Sequence, residues 1–579
     1  MMQPSTRGRF GARIVGPGEV EFSLWAPEAK RVDVVLEGGA ILPLRRLENG
    51  LYTGRAAAAV GTLYRYRIDG NAQVPDPASR AQSSDVHDAS VVVDTAFPWT
   101  HPDWRGRPWA ETVIYELHAG AFGGFAGVTE QLPRLAALGI TAIELMPIAD
   151  FPGRHNWGYD GALIYAPDTA YGTPRELQQL IDTAHGLGLQ VFLDVVYNHF
   201  GPDGNYLNVY AKSFFREDTH TPWGNAIDFR RRPVRDFFIA NALYWLQEYR
   251  FDGLRFDAVH AIEDASFLEE LSATIRAEVS DRHIHLILEN EENNPDLLRR
   301  QPAEQKFDAQ WADDWHHCAH VLLTREREGY YGDFQNPAAQ MARCLAEGFA
   351  YQGEPSAHRD GKPRGAPSRD LPPSAFVICL QNHDQIGNRA LGERLHSLAH
   401  PDALRAATAL LLFTPQIPMI FMGEEFGESR PFLYFTDHHD ELGRLVTEGR
   451  RKEFAKFEAF SNPETRSKIP DPNDPATFEA SQPKVRENGW TALFRECLAL
   501  RAEHIAPRMA GCVSSGATAL SAAAVRAGWR MNDASRLTVA TNFGAAPVSM
   551  EPPLGELLYG PGLQDGSLPG CSTSLWLAR

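Results

Sequence analysis

Short apolar runs broken by Pro and Gly turns open the chain. Residues 20–25, 32–36 and 63–68, within the segment 19–94, carry the branched and aromatic side chains that favour strands. They predict a small immunoglobulin-like β-sandwich. Residues 97–109, rich in Pro and Trp, read as a linker lying against the next domain. Beyond it the pattern changes to apolar strands alternating with amphipathic helices. Strands are expected at 113–117, 140–145, 189–195, 252–256, 283–288, 307–310, 376–380 and 417–421, with a first helix at 129–138. Eight such strands with helical segments between them predict a (β/α)₈ TIM barrel rather than an open doubly wound sheet. Two long inserts follow strands, one ending near residue 232 and one near residue 488. In this architecture the loops after the strands form the functional face, so the inserts should shape a cleft. From about residue 505 short β runs return at 523–529, 537–542 and 574–577, predicting a small C-terminal β domain. The expected division is 1–104, 105–505 and 506–579.

A chain of 579 residues should hold about three or four domains. Its 43% hydrophobic and 22% charged residues are ordinary for a globular protein and exclude a disordered or collagen-like class. The formal charge of −18 argues against partners bound through phosphate, so neither nucleic acid nor an anionic membrane is expected. Six cysteines (Cys318, Cys344, Cys379, Cys497, Cys512 and Cys571) lack short pair spacing, which favours a reducing compartment over a zinc site or disulfide framework. No apolar run of signal-peptide or membrane-spanning length is seen, and a cytoplasmic location is the expectation.

Four polar segments each fall just past an expected barrel strand. They are Asp194 to His199, Gly253 to His260, Glu289 to Asn293, and Gln381 to Gln385. A single Asp at a strand end is more often a cap or turn residue. Four in register differ, because a barrel converges its strand ends on one mouth. Three of their carboxylates, Asp257, Glu289 and Asp384, make a constellation that glycosidic bond cleavage with retention can use: a nucleophile and a proton donor about 5 Å apart. Arg255, two residues before Asp257, points to the same face of its strand and should keep Asp257 ionised. Glu289 follows an apolar run, and partial desolvation should keep it protonated. His199 and His383 lack a His partner at metal-ligand spacing, so sugar-hydroxyl contacts are the simpler role. Tyr159 can offer its ring to a sugar face or be a core aromatic. The aromatic stretches around Trp223 and at Tyr330-Tyr331 read equally well as sugar platforms or loop packing, and Trp25, Trp99 and Trp104 as surface platforms or interdomain packing.

These four segments, in this order on a barrel preceded by a sandwich, resemble the α-amylase superfamily of glycoside hydrolases across essentially the whole chain. Within it the sequence is most similar to the maltooligosyltrehalose trehalohydrolases. The residues behind that resemblance are Tyr115 to His118, Phe151 to Asp160, His220 to Gly224, Gln381 to Arg389, and Gly423 to Gly427. It implies that Asp257 is the nucleophile, Glu289 the acid/base and Asp384 the third, transition-state carboxylate. Tyr159, Asp160, His199, Trp223, Arg255, His260 and His383 are implied to bind substrate, and the sandwich to resemble a carbohydrate-binding module. The implied reaction is hydrolysis of the α-1,4 bond beside the terminal trehalose of maltooligosyl trehalose. The synthase that makes this substrate is the implied pathway partner. No cofactor is expected. Asn198 occupies a position that ligates calcium in some relatives, but no acidic loop accompanies it, and no metal is expected. The acid segment departs from its relatives, reading Glu289-Asn-Glu-Glu where Glu is often followed by Asp, which bears on the acid's surroundings. A glycogen branching or debranching enzyme is the alternative within the superfamily. A non-catalytic glucan-binding protein is the alternative of another class, and it should have lost one of the three carboxylates.

Overall fold

The computed structural model describes residues 10–221, 224–299, 307–456, 458–460 and 462–579. Eight parallel strands close into a barrel in chain order: β1 (Ile114–Leu117), β2 (Ala142–Leu145), β3 (Gln190–Val195), β4 (Gly253–Phe256), β5 (His285–Leu288), β6 (Ala309–Trp311), β7 (Phe376–Cys379) and β8 (Ile417–Phe421). Every observed boundary lies within two residues of the expected one. All residues of these strands are buried, which is why they read as continuous apolar runs. Besides Gln190, His285 and Gln310, the polar exceptions are Glu116 on β1, Glu144 on β2, Asp194 on β3 and Arg255 on β4, each 3% exposed or less. Glu116 pairs in register with Glu144, and Asp194 with Arg255, so a charged layer crosses neighbouring strands.

Helix α1 (Gly124–Leu138) begins five residues before the expected start at 129. Gly123 and Gly124 adopt φ of +85° and +82°, so the chain turns and enters the helix at once. Helix α2 (Pro174–Gly186) opens on a capping box, Thr173 with Glu176. Then come α3 (Arg232–Gln247), α4 (Ala265–Glu278), α5 (Asp313–Thr324), α6 (Pro337–Glu347), α7 (Pro401–Phe413), α8 (Asp440–Glu453) and α9 (Gly489–Leu500). Between β5 and β6 the described residues hold only a short turn at Asp296–Leu298. The insert after β3 carries the hairpin Phe215–Thr221 with Gly224–Ile227, and the insert after β8 carries α8.

The N-terminal segment forms two sheets, Gly11–Gly16, Glu19–Trp25, Leu51–Ala57 and Arg45–Arg46 in one, with Val32–Leu36 and Leu63–Ile68 at the centre of the other. They enclose Val20, Phe22, Val34, Tyr64 and Tyr66. The three tryptophans read as platforms or packing are all engaged in packing. Trp25 is buried against Phe214, Trp99 lies under Arg250, and Trp104 stacks on His185 at 4.9 Å while donating to Asp252. A five-stranded C-terminal sheet, built on Val513–Ser521, Ala524–Arg530, Arg536–Asn542, Ser572–Ala578 and Glu556–Tyr559, packs on α7. Six unpaired cysteines, five of them buried, are scattered through the molecule. Among the described residues no helix is long and apolar enough to cross a membrane.

Arg501, 1% exposed, joins the chain leaving the barrel to the barrel itself. Its guanidinium donates to the carbonyls of Leu412, Thr414 and Gln416, between α7 and β8. Arg501→Met would leave these buried carbonyls unpaired and should lower stability by about 3 kcal/mol, seen as an earlier unfolding transition with the barrel's secondary structure retained.

Candidate active site

The hydrogen-bond ladder of the barrel continues past its strand ends and fixes the residues that follow. The Asp257 amide donates to the Val195 carbonyl, and the Glu289 amide to that of Phe256. Ala258 then takes a left-handed conformation, φ +40°, which turns its amide onto Glu289 Oε2 at 2.8 Å. A non-glycine residue held there is strained, and such strain is found where a site needs it.

Arg255, fully buried, is the centre. Nη1 donates to Asp194 Oδ2 at 2.6 Å and Asp257 Oδ1 at 2.9 Å, and Nη2 reaches Glu289 Oε2 at 2.8 Å. The face of the guanidinium lies 4.1 Å from the Trp311 ring centre. Asn198 completes the setting of Asp257, its amide donating to Oδ2 at 2.7 Å and to the backbone carbonyl at 2.8 Å.

The two acids are driven apart in ionisation. Burial pushes the Asp257 carboxyl up, but Arg255, His199, the Asn198 amide and His383 together outweigh it and hold it below the usual range. Burial pushes Glu289 well above its usual range; Arg255 opposes this, while Asp257, Asp384 and Asp313 add to it. Asp384 is also raised, by burial first, against the pull of His383 and Arg255. Separated ionisation of neighbouring carboxyls is how acid and base roles are divided.

A second chain of contacts crosses the barrel mouth. Asn382 caps the short helix His383–Gly387 by accepting from the Gln385 amide. Glu116 accepts from the His383 backbone amide at 3.0 Å and from Nδ1. His383 Nε2 lies 2.8 Å from the Tyr159 hydroxyl, which donates to Asp194 Oδ2 at 2.7 Å. Burial lowers the His383 pKa, but Glu116 reverses this and the ring ends raised. A proton on each nitrogen gives Glu116 and the Tyr159 hydroxyl each a donor, and leaves that hydroxyl free to donate to Asp194 Oδ2. Gly158, at φ +104°, lets the loop place Tyr159 here: a Cβ on it would lie 2.1 Å from the Pro147 carbonyl oxygen.

Comparison with known proteins sets this geometry in a family. Residues 97–242 match the α-amylase catalytic domain, residues 9–89 carbohydrate-binding module 48 (isoamylase N-terminal domain), and residues 513–575 a domain of unknown function, DUF3459. A malto-oligosyltrehalose trehalohydrolase from Deinococcus radiodurans is 42% identical over 86% of this chain and 84% of its own. One from Saccharolobus solfataricus is 42% identical over 77% of this chain and 80% of its own. The chain belongs to the malto-oligosyltrehalose trehalohydrolase family. A crystal structure described as a putative α-amylase from Salmonella typhimurium has the same fold, with a TM-score of 0.93, 43% identity, and coverage of 99% of this chain and 100% of that one.

In this trehalohydrolase-family chain, Tyr159, His199, Arg255, Asp257, Glu289 and His383 are linked by contacts around one mouth, and Asp384 is near enough for His383 and Arg255 to act on its charge. Asp160 stands beside them, accepting from Asn156 at 2.6 Å and from His438 at 3.2 Å. The histidines expected to meet sugar hydroxyls are held within the protein, His199 by Asn198 and the Tyr159 carbonyl, His383 by Glu116 and Tyr159. His260 lies at the rim, 3.7 Å from Glu291. Trp223 lies outside the described residues. Glu291 and Glu292, which follow Asn290 in the departing acid segment, are both paired with Arg359. Of the two tyrosines left undecided, Tyr331 is buried in a stack on His320 at 4.1 Å, whereas Tyr330 is half-buried and donates to Gln385 beside Asp384.

Several contacts escaped the sequence reading. The Asn198 amide supports Asp257, Glu116 charges His383, Trp311 lies under Arg255, and Asp313 is raised to about 6 by burial at the edge of the cleft. Asp313 was findable, since it follows β6 as Asp257 follows β4. In Gly423 to Gly427, Glu424 accepts from Gln381 and Glu425 binds Tyr115 and Arg134, so that motif braces the barrel wall.

Glu116→Gln removes the charge that offsets burial at His383. Its imidazole pKa should fall, and an NMR titration would show a ring neutral at pH 7; an unchanged titration would contradict the assigned cause.

Proposed function

We propose that this enzyme hydrolyses the α-1,4-glucosidic bond next to the terminal trehalose of maltooligosyl trehalose, with retention at the cleaved centre. The observation that carries the chemistry is the grip of one guanidinium on Asp257 and Glu289 at once, through Nη1 and Nη2. Two carboxyls so bound lie close together, as a retaining pair requires. The names of the relatives supply the substrate.

Asp257, ionised, attacks the anomeric carbon on the face opposite the departing oxygen. Glu289, protonated, delivers its proton to the glycosidic oxygen, and trehalose leaves. Glu289 then takes a proton from water as the water oxygen displaces Asp257 from the glycosyl ester, freeing the shortened maltooligosaccharide and restoring both groups. Asp384 binds sugar hydroxyls and favours the flattened, oxocarbenium-like ring. Tyr159, Asp160, His199, Trp223, Arg255, His260 and His383 shape the sugar site, with Arg255 also fixing both acids. The three carboxylates weigh against a non-catalytic glucan-binding role. The relatives' shared name weighs against branching and debranching. A synthase that builds maltooligosyl trehalose must act before this enzyme, and the unpaired thiols fit a reducing cytoplasm.

Purified enzyme given maltooligosyl trehalose and linear maltooligosaccharide side by side should release trehalose from the first preferentially. New α-1,6 branches, or cleavage confined to α-1,6 bonds, would reject the reading. Asp257→Asn should abolish turnover while oligosaccharide binding and the fold remain. The pH profile of kcat/KM should rise as Asp257 loses its proton below the usual carboxylate range and fall as Glu289 loses its proton well above it. Glu289→Gln should remove the falling limb and cost about 10²–10⁴-fold in rate.

A further inference from the structure

We propose that Arg450, on the excursion after β8, is a positioning residue that holds Asp384 through Asn388. The inference rests on the role given to Asp384 above.

Asp384 lies near the start of the short helix His383–Gly387, and Asn388 follows that helix. The Asn388 side-chain amide donates to Asp384 Oδ1, and among the described residues Oδ2 takes no hydrogen bond. One oxygen is thus fixed and the other is left for a ligand. Asn388 is exposed and would be free to turn, but its own carbonyl oxygen accepts from Arg450 Nη1 at 3.4 Å. Arg450 Nη2 in turn donates to the carbonyls of Gly387 and Arg389, which bracket Asn388. One guanidinium therefore ties both the backbone on either side of Asn388 and its side chain.

The placing of Arg450 needs a reason beyond stability. It is 9% exposed, and burial lowers its pKa, so its charge is held at a cost. Its carboxylate partner, Glu453, is 3.3 Å away and half-exposed. The guanidinium is gripped instead by two rings, Tyr434 at 5.3 Å and Phe454 at 4.7 Å. Tyr434 stands edge-on to Trp157, whose ring closes on Gly387: a Cβ there would lie 2.0 Å from the indole. The excursion after β8 and the loop after β2 so clamp the Asp384 turn from two sides. Loops outside the barrel would set the aim of one carboxylate inside it.

The test uses full-length enzyme and maltooligosyl trehalose, comparing Asn388→Ala, Arg450→Gln, the double variant and Asp384→Asn. A loosened Asp384 should lower kcat by about 10- to 100-fold with KM near that of the unaltered enzyme, because its contact matters most to the distorted ring. The double variant should be no worse than the poorer single one, since both act through one carboxylate. Asn388→Ala, at an exposed position, should keep the melting temperature, which separates aiming from folding even if Arg450→Gln unfolds earlier. Unaltered kcat in Asn388→Ala, or effects that multiply independently, would overturn the relay. If Asp384→Asn is inactive while Asn388→Ala is fully active, only the relay fails. Full activity in Asp384→Asn would remove the role of Asp384 itself.

Discussion

A buried cation bound to three carboxylates organises this molecule. Arg255 has no solvent to stabilise it, so the cost of burying its charge is offset by Asp194, Asp257 and Glu289 around it and Trp311 beneath. The dependence runs both ways. Without the guanidinium, three acids at one barrel mouth would repel, and burial would protonate most of them.

From that contact follows the division of labour. Asp257 receives the guanidinium, the Asn198 amide and two nearby imidazoles, and stays charged. Glu289 receives one arm of the same guanidinium but faces three other acids, and burial prevails. The second charged pair, Glu116 with His383, repeats the principle on the far side and meets the first at Tyr159 and Asp194. Strand register sets the first of them. Neighbouring parallel strands place their polar side chains at matching heights, and the ladder that continues beyond them delivers Asp257 and Glu289 to the mouth.

What could be seen in the sequence was whatever is local. The eight strands are apolar runs bounded by polar residues, and Asp257, Glu289 and Asp384 follow strand ends, so periodicity and spacing located them. Contacts between distant segments were not visible. Nothing near Asn198 says that its amide meets Asp257, 59 residues on. Nor does Glu116 announce His383, 267 residues away. The start of α1 was missed because two left-handed glycines replace a polar cap. The roles of Trp25, Trp99 and Trp104 could not be chosen because an indole suits a sugar platform and a domain seam equally, and only the neighbours decide.

The central claim is that one guanidinium holds Asp257 and Glu289 close enough to work in turn on the same anomeric carbon. Proton NMR of the new reducing end, followed from the first seconds of hydrolysis, reads this directly, because paired acids too close to admit a water give retention and widely spaced ones give inversion. The maltooligosaccharide should appear first as the α-anomer and mutarotate later. A β-anomer appearing first would mean that water attacks directly and that the two acids do not work as this contact requires.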